Sequence, residues 1–325
     1  MIEPNGILTF ENLIKSVARE GGIAYHGSGG DERAMIPIDP SDLDLCKEIV
    51  NDGIRMFVSD APVKGWRWTR RIASVTMTTT RITGTVDSVS GTAPGTYTLV
   101  DATLETVLDD DGNPLYVDDY FLGYYIYILT GTGIGRYAKI TDYAESGGVI
   151  TVADWLDENG NVIANTGGAV PVAADTFAIT PVETIGGDIS RYPLPENFGG
   201  DPAGQIEYAS GTNHASVIDW RDEAYIRARR AVTVITGYPR YAAIRQFEPV
   251  LSAPSAKRRF EIIFDPQPVA ADTIEFPYTL HFDSLKLEAG DASSIDGTTG
   301  LLDSALDGLY PNDYFNGWTI RIISG

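Results

Sequence analysis

The 325-residue sequence contains one cysteine, Cys46, and three histidines, His26, His214 and His281. A single cysteine excludes an internal disulfide. The histidines are scattered, and none has the HExxH or Cys/His spacing of a metal site, so no metal and no other cofactor is expected. Positive charge is scarce too: 24 Lys and Arg against 45 Asp and Glu leave a formal charge of -21. That balance is the opposite of what a protein needs to grip nucleic acid by neutralising phosphates. Long apolar runs are missing. Stretches such as 124–129 fall far short of the roughly 20 residues of a membrane helix. The N-terminus has no basic segment followed by an apolar one and a cleavage site, so the expectation is synthesis in a cytosol.

What is present is unevenly spread. Residues 1–81 hold 10 basic and 11 acidic side chains, whereas 82–182 hold 2 basic and 14 acidic. Such a shift marks a domain boundary, and the length accommodates roughly two domains of about 150 residues each. The first helical signal is FENLIKSVARE, where Phe10, Leu13, Ile14, Val17 and Ala18 fall on one stripe. The second runs from about Ser41, with Ser41 or Asp42 as its cap. Leu43, Cys46, Val50, Ile54 and Phe57 lie on one side, and Pro62 stops it. Beyond Trp66 the Thr- and Val-rich sequence changes to strand. From about 83 to 181 it reads as short β-runs punctuated by DDDGNP and DENGNV, a small all-β sandwich or barrel.

Further on, DWRDEAYIRARRAVTVITGYP predicts a helix capped by Asp219, burying Ala224, Tyr225, Ala228, Val232 and Ile235 and ended by Gly237 and Pro239. RRFEIIFDPQP and TIEFPYTLHFDSLKL then have the spacing of an antiparallel pair joined by a Pro-rich turn. The fold class expected is α+β: a small α-helical bundle with antiparallel strands over 1–81 and 183–288, and an inserted all-β module at 82–182.

A third element is expected over 289–325, because the chain repeats itself. YVDDYFLGYYIYILTG at 116–131 matches YPNDYFNGWTIRIISG at 310–325, with Tyr, Asp, Phe, Gly and Ile identities in register. A duplication of this kind signals a reused structural unit. The second copy stops at Gly325, where its hairpin should turn back, and this predicts a longer native product or a missing half. The same segment raises the question of a phosphate loop, since Gly131, Gly133 and Gly135 follow an apolar run. A phosphate cradle needs a helix after its glycines. Here RYAKITDY follows, with the alternation of a strand, so TGTGIG predicts a hairpin turn.

Catalytic signals are weak. YHGSGG at 25–30 distantly resembles an oxyanion loop but lacks the G-x-S-x-G elbow, and composition reads it as a linker. The acidic turns at 109–113 and 157–161 resemble a calcium loop without its terminal bidentate Glu. Type I′ hairpin turns are the simpler meaning, with a weak surface calcium site as the alternative. No enzyme signature emerges. The concentrated positive charge lies in Arg67, Arg70 and Arg71 and in Arg227, Arg229 and Arg230, expected to pair with neighbouring subunits or local carboxylates. Together with Trp66, Trp68, Tyr225 and Tyr241, these arginines other than Arg67 are the candidate interface residues.

With the β-module set aside, the order of segments resembles the head-to-tail adaptor (connector) proteins of tailed bacteriophages. The residues that carry it are the N-terminal helices, GWRWTRR, YPLPENFGG, TGYPRYAAI and RRFEIIFDPQPVAADTIEFPYTLHF. The resemblance covers roughly 8–81 and 183–285. It implies a structural, non-enzymatic virion protein in the neck between capsid and tail, assembled as a dodecameric ring. Its partners would be the portal protein and tail or neck proteins, with DNA passing through the channel without specific binding and no membrane contact. The insertion and the partial repeat depart from the family pattern. Two alternatives stay open. One is a tail or baseplate component whose β-modules bind host glycans through Tyr124, Tyr125 and Trp155. The other is a glycan hydrolase using carboxylates among Asp118, Asp119, Asp154 and Asp157.

Overall fold

The computed structural model describes residues 9–26, 35–37, 39–60, 66, 69–91, 96–157, 160, 162–163, 170–195, 197–209, 217–247, 259–281, 294–296 and 300–302. The chain is of mixed α+β class, with few helices and many antiparallel strands. It divides into two compact units, 1–69 with 282–325, and 70–281. No helix among the described residues is long and apolar enough to cross a membrane.

In the first unit, α1 (Phe10–Glu20) is capped by Thr9, whose Oγ1 accepts from the Asn12 N–H at 3.2 Å. α2 (Pro40–Ser59) is capped by Asp39 rather than Ser41 or Asp42: Asp39 Oδ1 accepts from the Ser41 N–H at 2.8 Å and the Asp42 N–H at 3.3 Å. The reason is Pro40, which has no N–H to satisfy and a φ already suited to the first helical position. α2 ends at Ser59, before Pro62, which lies outside the described residues. Ile14 and Ala18 pack on Leu43, Cys46 and Val50 as the stripes predict. Two short strands, β18 (Ser294–Asp296) and β19 (Gly300–Leu302), pair antiparallel. The repeat copy at 310–325 lies outside the described residues, as does the YHGSGG segment beyond His26.

The second unit begins with β1 (Arg70–Thr76), β2 (Ile82–Thr85), β3 (Ser88–Gly91), β4 (Tyr97–Val100), the short α3 (Ala102–Glu105), β5 (Tyr125–Thr130), β6 (Tyr137–Ala144), β7 (Val149–Val152) and β8 (Thr176–Thr180). All the strands but β1 join one sheet of order β2-β8-β5-β6-β7-β4-β3. Its two ends, β2 and β3, are separated only by Val86 and Asp87. Their N–H groups donate to Asp175 O (2.9 Å) and Val100 O (2.8 Å), so the stretch 82–91 follows β8 along its first half and β4 along its second. Trp155, Phe121, Tyr143, Phe177 and Ile126 are among the residues of its core.

The TGTGIG segment joins β5 to β6 as an antiparallel hairpin. The anion held by its backbone belongs to the chain itself: the buried Asp175 carboxylate accepts from the N–H groups of Thr132 (3.0 Å), Gly133 (2.9 Å) and Val172 (3.1 Å). Gly131 has φ 93, and a Cβ there would fall on that carboxylate. A second buried carboxylate, Asp101, caps α3 through Oδ1 on the Thr103 N–H (2.9 Å) and Oγ1 (2.6 Å) and reaches the Thr85 N–H at 3.3 Å.

The rest of the unit comprises β9 (Arg191–Pro193), β10 (Phe198–Pro202), β11 (Glu207–Tyr208), β12 (Asp219–Trp220), α4 (Glu223–Arg230), β13 (Thr236–Gly237), β14 (Tyr241–Phe247), β15 (Arg259–Asp265), β16 (Gln267–Pro268) and β17 (Thr273–Leu280). One sheet has β17 between β1 and β10, with β11 also on β17; another runs β12-β14-β15-β9; β13 and β16 form a parallel pair. Among the described residues the antiparallel pairing expected between 258–268 and 273–287 does not form. β15 pairs with β14 and β9, β17 with β1, β10 and β11. Burial explains the difference: Phe260, Ile262 and Phe264 of β15 share one core with Ile274, Phe276 and Tyr278 of β17. Paired side by side, the two apolar rows would still need a cover; placed in two sheets they cover each other.

The long helix expected from Asp219 is likewise shorter. α4 spans Glu223–Arg230, Asp219 lies in β12, and the position before the helix is Asp222. Val232, Thr233, Val234 and Ile235 follow, and three of these four are β-branched aliphatics that lose rotamer freedom in a helix. Val232 is 86% exposed, and the one fully buried side chain of α4 is Ile226.

Candidate interaction surface

α4 rests on the β14–β15 ladder by a single apolar anchor, Ile226, which packs on Ala243 and Ile263 with Tyr241 alongside. One buried side chain is a small hold for an eight-residue helix. The remaining fixation is polar: Asp265 of β15 holds Arg229, Arg245 of β14 reaches Glu223, and Arg230 donates to a β15 carbonyl.

Glu261 interrupts the apolar run of β15 and is 0% exposed. Arg191 on β9 grips it from one side, Nη2 to Oε2 at 2.8 Å and Nε to Oε2 at 3.1 Å. From the other side Arg245 on β14 donates through Nε to Oε1, and its Nη1 reaches Glu223 Oε1 of α4 at 3.3 Å. Two guanidinium groups offset much of the cost of burying this carboxylate. Asp265, also buried, accepts from Arg229 Nε at 2.6 Å. That hydrogen bond, followed by the Asp265 charge, raises the Arg229 pKa above the ordinary arginine value. Arg230 leaves the helix in another direction, donating through Nη2 to Phe264 O at 2.6 Å with Asp188 at 3.9 Å.

Above this network lies a stack of aromatic and cationic groups. Tyr225 and Tyr241 meet edge to face, centroids 5.3 Å apart at 76°. Two guanidinium carbons flank both rings: Arg221 at 5.6 and 5.5 Å, Arg229 at 5.9 and 5.2 Å. Each ring thereby receives cation–π contacts that hold the arginines in place. Tyr225 is still 40% exposed, and past it the chain exposes Val232, Val234, Ile235 and Tyr238. The surface can bind a partner through aromatic, guanidinium and apolar groups at once, the composition that concentrates at protein interfaces.

Of the residues singled out in the sequence, Tyr225, Arg229 and Tyr241 come together here. Arg227 points elsewhere, to Glu223 at 3.3 Å, and Arg230 to the β15 end. Trp66 belongs to the first unit, stacked on Phe57 with centroids 4.9 Å apart. Arg70 and Arg71 are exposed on β1, opposite Thr279 and Tyr278. Burial raises the Tyr278 phenol pKa, and the Arg71 charge opposes that rise. Trp68 and Arg67 lie outside the described residues. Sequence reasoning missed Arg221, which pairs with Asp219 at 3.4 Å, Arg191 and Arg245 with their shared acceptor Glu261, and Asp265, the acceptor of Arg229. One signal was available: a lone glutamate inside the apolar run FEIIF has to be paired.

The acidic turn at 109–113 is self-satisfied. Asp109 Oδ1 accepts from the N–H groups of Asp111 (3.0 Å) and Asn113 (2.8 Å), and the Asn113 bond chiefly holds its pKa below the usual carboxylate value. Among the described residues no group of three or more His, Cys, Asp and Glu is placed to hold a metal. Comparisons with protein-family models, curated proteins and solved structures give no match.

Proposed function

We propose that the chain is a structural subunit of the neck of a tailed bacteriophage, a non-enzymatic adaptor whose copies form a dodecameric ring joining portal to tail around a channel for DNA. The observation that carries this reading is the exposed Arg221–Tyr225–Tyr241–Arg229 stack, continued by the apolar run from Val232 to Tyr238. Its groups are fixed before any partner arrives, which lowers the ordering cost of association. Ring building from one chain needs such permanent surfaces.

Within that reading, 1–81 and 183–288 form the adaptor core, a small helical bundle with β-strands. Residues 82–182 are an inserted barrel, and 289–325 begin a second module. Support for the barrel is the contiguity of β2 and β3, which brings the two ends of the strand order into one stretch of chain. Support for the insertion is that every strand of this sheet comes from 82–180.

The glycan-binding alternative draws on Tyr124, Tyr125 and Trp155. Trp155 is 0% exposed in the core of the seven-stranded sheet and offers no face to a sugar, while Tyr124 and Tyr125 are half-buried. The adaptor reading is therefore preferred. Cryo-electron microscopy of the full chain mixed with its cognate portal tests it. The expected result is an added ring at the tail-side face of the portal; a portal without added density, or the protein at a tail tip, would overturn it.

A further inference from the structure

We infer that copies of the chain bind one another head to tail, the acidic surface at 108–122 of one copy seated on the basic, apolar surface at 221–238 of the next. The inference rests on the ring reading above for its setting and names the contact that would build the ring.

The two surfaces are opposite in sign. Between 108 and 122 the chain carries five carboxylates and no Lys or Arg, while 219–238 carry four arginines against three carboxylates. Each surface also exposes apolar side chains beside its charges: Leu108, Leu115, Val117 and Leu122 on the first, Val232, Val234 and Ile235 on the second. Exposed patches of this kind, rimmed by polar groups, mark association sites. Both stay exposed in a single copy, so neither covers the other within one chain. A second copy supplies the missing complement at equal concentration.

Both surfaces are also held in shape. On the acidic side the Asp109 turn closes through its own backbone donors, Leu108 bridges to Pro114, and Asp118 Oδ1 accepts from the Glu145 N–H at 2.8 Å. On the basic side Tyr225 and Tyr241 fix Arg221 and Arg229. Arg227 stands 73% exposed. Guanidinium groups retain free donor directions after one ion pair, so a partner carboxylate can add to the local one. Nucleic acid fits worse than a protein here, because three carboxylates are interleaved with the arginines and the chain as a whole is at -21. The contact joins two different faces, and a contact of that type repeats into a closed ring or an open chain.

Charge exchange tests the pairing without touching buried groups. Arg221→Glu with Arg227→Glu reverses the basic side, and Asp110→Lys with Asp111→Lys reverses the acidic side while leaving the Asp109 turn its backbone donors. Sedimentation velocity of the full chain follows self-association, with circular dichroism melts to verify that each variant is folded. The wild type is expected to associate and to lose association between about 50 and 500 mM salt. Each double variant should bind itself at least about tenfold more weakly, since like charges then face each other. Mixed together, the two should associate again. Equal assembly of wild type and both variants, or no recovery on mixing, would overturn the contact. If those variants nevertheless add a complete ring to the portal, the contact fails and the adaptor reading stands. A wild type that stays monomeric at all salt concentrations overturns the contact, and the portal experiment then decides the adaptor reading by itself.

Discussion

The two halves of the second unit bury carboxylates by opposite means. In the seven-stranded sheet Asp101 and Asp175 are surrounded by backbone and hydroxyl donors. In the β12-β14-β15-β9 sheet Glu261 and Asp265 are held by arginines. Composition dictates the choice: residues 82–182 have 2 basic side chains for 14 acidic ones, too few to neutralise buried acids by pairing. Backbone N–H groups satisfy the oxygens without cancelling the charge, so the module remains strongly acidic. Arginine pairing cancels charge and leaves guanidinium faces at the surface. One solution leaves an acidic surface, the other a surface that presents guanidinium donors, and the proposed contact between copies joins them.

The largest effect should come from the arginine-held side. Glu261→Ala leaves Arg191 and Arg245 without their shared acceptor and should lower stability by about 3 kcal/mol or more, as removal of one partner from a buried pair does. Denaturant unfolding measures this, and a loss below about 1 kcal/mol would mean that the arginines find other acceptors. On the backbone-held side, Asp175→Ala should cost about 2 kcal/mol, because three N–H groups lose a charged acceptor. Asp175→Asn should cost less, since a carbonyl oxygen still accepts. Equal losses for Ala and Asn would show that charge, not the acceptor, matters there.

Alkaline pH sharpens the comparison least, because both halves bury phenols. Tyr143, in the seven-stranded core, has its pKa pushed up to about 12 by burial and then by the Glu145 charge. Tyr208, on β11 beside β17 in the other half, is pushed up to about 12 by burial and then by Asp272. The folded state holds these protons more tightly than the unfolded chain, whose phenols titrate near about 10. The stability they contribute is therefore complete below about pH 10 and is lost as pH rises toward about 12. Ultraviolet titration of phenolate beside unfolding curves reads this; native titration of both groups near pH 10 would contradict it.

Much of the local structure is legible in the sequence. The stripes of α1 and the first half of α2 follow from 3.6-residue spacing, because both helices bury one face against each other. The TGTGIG turn follows from the strand that succeeds it. Even the need for partners around Glu261 is implied by its apolar neighbours. Each of these depends on residues close in the chain, where stereochemistry and periodicity act directly.

Tertiary structure decided the rest. Strands β15 and β17 are close in sequence and both apolar on one face, and their separation into two sheets depended on which faces could bury each other. α4 stops at Arg230 where the following β-branched residues join an extended segment whose β13 pairs with β16. Arg221, Tyr225, Arg229, Tyr241 and Asp265 become one cluster only because α4 lies across the β14–β15 ladder. Pairing between distant segments is a competition among alternative burials, and the chain's local pattern fixes the competitors without ranking them.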